Sequence, residues 1–169
     1  MKPATVNTLF IALYMLGMSL MIWAIEIYYQ TFIPSNLLLG IGAGTGLVVM
    51  PFLKKTLDKG RDTRSLLGQL MINLGAWGGT AVFLLLWTNR TFTNDAPRPI
   101  LFKVTEAGYL AAGRSGCGRG YVFITHQGQR KQLVFSCGSD VKAYRYVQAE
   151  VKKGLWGYEY ITDQYLTNE

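Results

Sequence analysis

The chain has 169 residues, half of them hydrophobic and only 16% charged, against about 25% charged in a typical soluble domain. That deficit excludes a wholly water-solvated chain and makes lipid the expected solvent for part of it. The formal net charge of +7 would suit a nucleic-acid binder, but five basic residues fall in one short stretch, 54–64, between apolar runs. Membrane orientation accounts for them, and no nucleic-acid partner is expected.

Charge divides the chain in two. Residues 1–98 hold 8 Lys/Arg and 4 Asp/Glu, confined to gaps between neutral runs, whereas residues 99–169 hold 9 and 6, spread evenly. The first part reads as membrane and the second as a domain in water. Three neutral runs stand out: 3–25 (PATVNTLFIALYMLGMSLMIWAI), 27–53, and 65–89 (SLLGQLMINLGAWGGTAVFLLLWTN). At 1.5 Å rise per residue, about 20 residues cross a ~30 Å hydrocarbon core, and each run is long enough. None shows the polar stripe of a soluble amphipathic helix. Backbone in lipid must satisfy its own hydrogen bonds, so three transmembrane helices are expected, over about 6–29, 34–53 and 65–88. A cleaved signal peptide is not expected at the first run, because Glu26, Ile27, Tyr28 and Tyr29 follow it instead of a small-residue cleavage site.

Loop charge sets the expected direction. The stretch 54–64 carries Lys54, Lys55, Lys59, Arg61 and Arg64 against Asp58 and Asp62, while the first loop, 30–36, carries none. Positively charged loops stay in the cytoplasm. The N-terminus and loop 54–64 are therefore expected inside, and everything after the third helix in the periplasm or extracellular space.

Within these helices, Gly40 and Gly44, Gly42 and Gly46, and Gly75 and Gly79 recur at four-residue spacing. Such spacing lets backbones approach closely in lipid, so these glycines are expected to serve helix packing. Polar groups are costly at that depth. Glu26 falls near the outer end of the first helix, and Gln69 and Asn73 share a face of the third. They are candidates for an intramembrane polar site, with interfacial snorkelling and interhelical hydrogen bonding as the structural alternative.

Residues 90–98 are polar and proline-bearing and read as a linker. Asn89-Arg90-Thr91 matches a glycosylation acceptor. From 99 to 169 the signals are β: runs at 100–105, 120–125, 131–136, 144–151 and 158–161, rich in Val, Ile, Phe and Tyr and separated by Gly-containing turns, suggest an antiparallel meander or small barrel. A helix over 140–150 is the alternative, since Val141, Tyr144, Val147 and Val151 have tolerable helical spacing.

The two cysteines frame a hairpin. A three-residue loop of His126, Gln127 and Gly128 would pair Thr125 with Gln129 and, continuing outward, put Cys117 opposite Cys137, within disulfide reach. An oxidising compartment agrees with that bond. A two-residue turn would misalign the pair by one. His126, the only histidine, is expected as a solvated turn residue. Residues 113–120 (GRSGCGRG) offer backbone N–H groups with Arg114 and Arg119 as a candidate anion-binding loop, or simply a flexible approach to a strand. The aromatics Tyr144, Tyr146, Trp156, Tyr158, Tyr160 and Tyr165 serve a core or a binding face.

No catalytic set, metal cluster or cofactor motif is visible. Two cysteines and one histidine fall short of a zinc site, and no Cys-x-x-Cys is present. The expected function is a non-enzymatic membrane protein, an accessory or scaffold subunit in contact with membrane lipid, whose outer β domain binds another protein. The alternatives are an oligomeric channel or transporter using Glu26, Gln69 and Asn73, and an envelope enzyme using Arg114, Arg119 and His126.

Overall fold

A computed structural model describes residues 3–58, 66–93, 95–112 and 116–168. It divides into two compact units, one of residues 1–27 and 34–88, the other of Tyr28–Ile33 and Asn89–Glu169.

The first unit is helical. Helix α1 spans Pro3–Gln30 and α2 spans Ser35–Asp58, with their last turns running past the expected ends; the third helix is α3 (Leu66–Asn73), a π turn (Leu74–Gly78) and α4 (Gly79–Thr91). Three of these stretches are long and apolar enough to cross a membrane: Ile11–Gln30, Ser35–Phe52 and Leu70–Thr91. Three of their hydroxyls are bonded within the helices. Thr45, Thr80 and Thr88 each donate to the carbonyl four residues back, at 2.6–2.8 Å, so each hydroxyl is satisfied within its own helix. The π turn is a departure from the continuous α-helix expected at 65–88. The Gly79 N–H reaches Leu74 O, five residues back. Gly75, Gly78 and Gly79 give this stretch weak helical propensity.

Glycine sets the packing of this unit. A Cβ at Gly78 would lie 2.6 Å from Gly42 O, one at Gly79 would lie 2.8 Å from Gly17 O, and one at Gly17 would lie 2.5 Å from Ala76. Backbones here touch where any side chain would intervene. Gly46 packs against Leu74, and Gly75 against Tyr14 and Met18. Gly40 and Gly44 have nothing within 4 Å and face outward. Of the close contacts, Gly17 and Gly78 lie outside the spaced pairs recognised in the sequence.

The second unit is a β structure. Among the described residues its strands form two three-stranded antiparallel sheets, β1–β5–β6 and β2–β3–β4. The strands are β1 (Arg98–Lys103), β2 (Glu106–Tyr109), β3 (Arg119–His126), β4 (Gln129–Cys137), β5 (Tyr146–Lys153) and β6 (Glu159–Thr167). The second sheet is a meander; the first is not, because β1 pairs with β5. β2 is short and glycine-containing and gave no strand signal. The helical alternative at 140–150 is reduced to a 3-10 turn at Val141–Ala143, and strand β5 follows. Alternation drives the core: Val122 and Ile124 of β3, Leu133 and Phe135 of β4, Val147, Ala149 and Val151 of β5, and Ile161 of β6 form one buried cluster. Phe32, Phe102 and Val141 complete it.

The hairpin differs from the expected one. His126 pairs with Gln129, so the turn has two residues, not three. Gln127 (φ +49) and Gly128 (φ +74) both take positive φ, as a primed hairpin turn requires. This register would misalign the cysteines, and a bulge between Arg119 and Tyr121 then leaves Arg119, not Cys117, opposite Cys137. Cys117 and Cys137 are nevertheless joined in a disulfide, with Cα atoms 6.0 Å apart. Cys117 reaches its partner from the loop before β3.

The stretch read as a linker is engaged. α4 continues to Thr91 and β1 begins at Arg98. Between them Thr93 Oγ1 donates to Lys153 O at 2.6 Å, and Asp95 Oδ2 accepts from Lys153 N at 3.1 Å.

Candidate functional site

The β unit ends in a polar cluster on its own core face. Along β3 the inward positions run Gly120, Val122, Ile124, His126; along β4 they run Lys131, Leu133, Phe135. Period-two alternation therefore carries an imidazole and an ammonium into the interior. Lys131 is only 5% exposed. The segment Tyr28–Ile33 closes this end of the unit. Thr31 bridges Tyr160, and the Phe32 N–H donates to Glu159 O at 2.7 Å.

His126 is not the solvated turn residue expected. Its Nε2 lies 2.7 Å from Glu159 Oε2. The ring edges meet Phe32 at 4.8 Å and Phe102 at 5.2 Å between centroids. Gln127 Nε2 also donates to Glu159 Oε2 at 2.9 Å, and Arg98 lies 3.4 Å from Oε1. One carboxylate thus gathers three donors, from β1, from β3 and from the β3–β4 turn. Its bond to Gln127 secures the strained positive φ of that residue.

Lys131 Nζ donates to Tyr28 O at 3.0 Å and sits 3.5 Å from the Tyr28 ring centroid. Burial pushes its pKa down from the ordinary value of 10.5 to about 8. The carbonyl and the ring face both favour the cation and work against that shift. Tyr28 O, among the last carbonyls of α1, also accepts from Thr31 N at 3.1 Å, so the lysine is a second donor at a helix end.

Asn89 forms a second junction. It is 2% exposed. Its amide donates to Tyr158 O at 3.0 Å and accepts from Trp156 N at 3.0 Å, while its own carbonyl accepts from Leu155 N at 3.1 Å. The glycosylation match at 89–91 therefore falls on an amide consumed by the fold.

The remaining candidates are dispersed. Glu26 is exposed on α1, and Asn73 is 1% exposed at the start of the π turn; the two do not share an environment. The side chain of Gln69 lies outside the described residues, as do Arg114 and the loop residues Lys59, Arg61 and Arg64. Arg119 is exposed at the start of β3, and its carbonyl accepts from Leu110 N. Among the described residues no group of three or more His, Cys, Asp or Glu side chains is placed to hold a metal ion.

Sequence reasoning missed Glu159, Phe32 and Lys131, and read Asn89 only as a glycosylation match. Alternation along β4 was a signal for Lys131, since it shares parity with Leu133 and Phe135. For Phe32 there was no local signal, because its partners lie 70 or more residues away.

The arrangement orients and fastens, pairing an imidazole with a carboxylate 2.7 Å away. No family model, curated protein or solved structure matches this chain.

Proposed function

We propose that the protein is a non-catalytic subunit of a membrane assembly, inserted through its three apolar helices, with the β unit outside the cytoplasm as the part that binds another protein. The observation that carries this reading is the commitment of three chemically capable side chains of the β unit to internal bonds. His126, Glu159 and Lys131 hold Phe32 and Tyr28 in place, which speaks against a histidine-assisted enzyme. The disulfide and the basic stretch 54–64 support the outward orientation.

What remains available for a partner is surface. Leu101 of β1 faces Gln148 of β5, which faces Tyr165 of β6. Leu101 and Tyr165 are 49% and 53% exposed, so a row with an amide between two large apolar side chains crosses the outer face of this sheet. Affinity isolation in mild detergent tests the proposal, comparing the wild type with the Leu101→Lys, Tyr165→Lys double variant. A protein recovered with the wild type and lost with the variant is the expected result. Recovery of the wild type alone in several detergents would count against the reading. An impermeant thiol reagent on intact cells tests the orientation: Cys117 and Cys137 should label only after reduction.

A further inference from the structure

We infer that the β5–β6 turn is a membrane-surface contact, seating Leu155 and Trp156 in the lipid interface; this rests on the proposal that α4 lies in a membrane. The apolar span ends at Thr91. Three hydrogen bonds tie the turn to Asn89, which falls within the last turn of that helix. Leu155 N satisfies the Asn89 carbonyl, one of the helix-terminal acceptors that lack a partner within the helix. Gly154 packs so closely on Asn89 that no side chain fits there. Gly154 N donates to Tyr158 O and Gly157 N to Gly154 O, and Gly157 takes φ +86, so the turn is internally fixed.

The turn therefore stands where the hydrocarbon stretch gives way to polar sequence. It presents Leu155 and Trp156, 53% and 56% exposed, at that level, and Phe92, 56% exposed, follows the helix end. Exposed leucine and tryptophan are unfavourable in water but suited to the headgroup boundary, where an indole buries its ring and keeps its N–H wet. Lys153 precedes the turn and Arg90 is on the helix end, both exposed, in reach of phosphate groups at the same depth. Apolar side chains flanked by cations, fixed to the end of an apolar helix, match a lipid surface. A soluble protein partner would leave the coincidence with the helix end unexplained.

The test is tryptophan quenching in the full chain reconstituted into vesicles of phosphatidylcholine and phosphatidylglycerol, with and without brominated acyl chains. The difference between wild type and Trp156→Phe isolates the emission of Trp156. That difference signal is expected to lose most of its intensity in brominated lipid and to resist aqueous iodide. Trp23, Trp77 and Trp87 report separately on the helices. Quenching of those three by bromine, with the Trp156 signal quenched only by iodide, would overturn the turn's role and leave the membrane reading standing. Protection of Trp156 from both quenchers would mean that protein covers it, which also overturns the inference. If none of the four tryptophans feels the brominated chains, both readings fall.

Discussion

The two units of the molecule bury opposite things. In the β unit Val122, Ile124, Val141, Val147, Ala149 and Val151 are fully buried, and large side chains fill the interior. In the helical unit Leu39 and Phe52 are 73% and 78% exposed, whereas Gly17, Gly75, Gly78 and Gly79 hold the closest contacts. In water, apolar side chains are driven inward. In lipid that drive is absent, so helices gain by close backbone approach and leave leucine outside. The same residue type thus carries opposite meaning on either side of Asn89. Exposure of Leu39 is ordinary, and exposure of Trp156 asks for a cause.

This contrast can be broken by substitution. The largest effect is expected for Phe32→Ala, which empties a site 2% exposed in the β core and should cost about 3–5 kcal/mol. Denaturant titration followed by near-ultraviolet circular dichroism would measure it, with Phe52→Ala as the helical counterpart that changes little. Next is the disulfide. Its loop of 20 residues predicts a loss of about 3 kcal/mol on reduction or in Cys117→Ser, Cys137→Ser. Faster proteolysis of the β unit, with the helices unaffected, is the expected readout.

Lys131 sharpens the comparison by pH. Its amine has a pKa of about 8 when folded against 10.5 unfolded, so between those values the unfolded chain binds more protons. Stability should therefore rise with pH across that window and be flat for this group below it. The amplitude is on the order of 3 kcal/mol, reduced by the Tyr28 contacts. Subtracting the profile of Lys131→Met from that of the wild type isolates it from the tyrosines, of which Tyr109 is raised by its bond to Asp140 and Tyr160 by burial. The smallest effects belong to the helices. Gly78→Ala meets Gly42 O and should cost about 1–3 kcal/mol, whereas Gly40→Ala meets nothing and should stay within about 0.5 kcal/mol. Thermal unfolding in one detergent compares the pair.

The apolar helices, the β strands other than β2 and the cysteine bond were legible because each leaves a local trace: run length, alternation, and two cysteines either side of a hairpin. The hairpin register was not, since it turned on Gln127 taking a positive φ, and that depends on Glu159, thirty-two residues away. His126 looked solvated because its turn is polar, yet its parity with Val122 and Ile124 already pointed inward. The polar stretch at 90–98 looked like a linker because its partners, Lys153 among them, are remote in sequence. Composition identified the elements, and distant pairing decided how polar groups were used.

The place of Tyr28–Ile33 in the β unit has a consequence for the order of events at the ribosome. This segment is made before the second and third helices, and its partner Glu159 follows them and strand β5. Phe32 must wait, unpaired, through the synthesis of more than a hundred residues, although domains generally complete themselves in the order they are made. The β unit therefore closes only after strand β6 has been made. A C-terminal fragment starting at Asn89 would lack the piece that fills its core. Supplying that piece as a separate peptide should restore it.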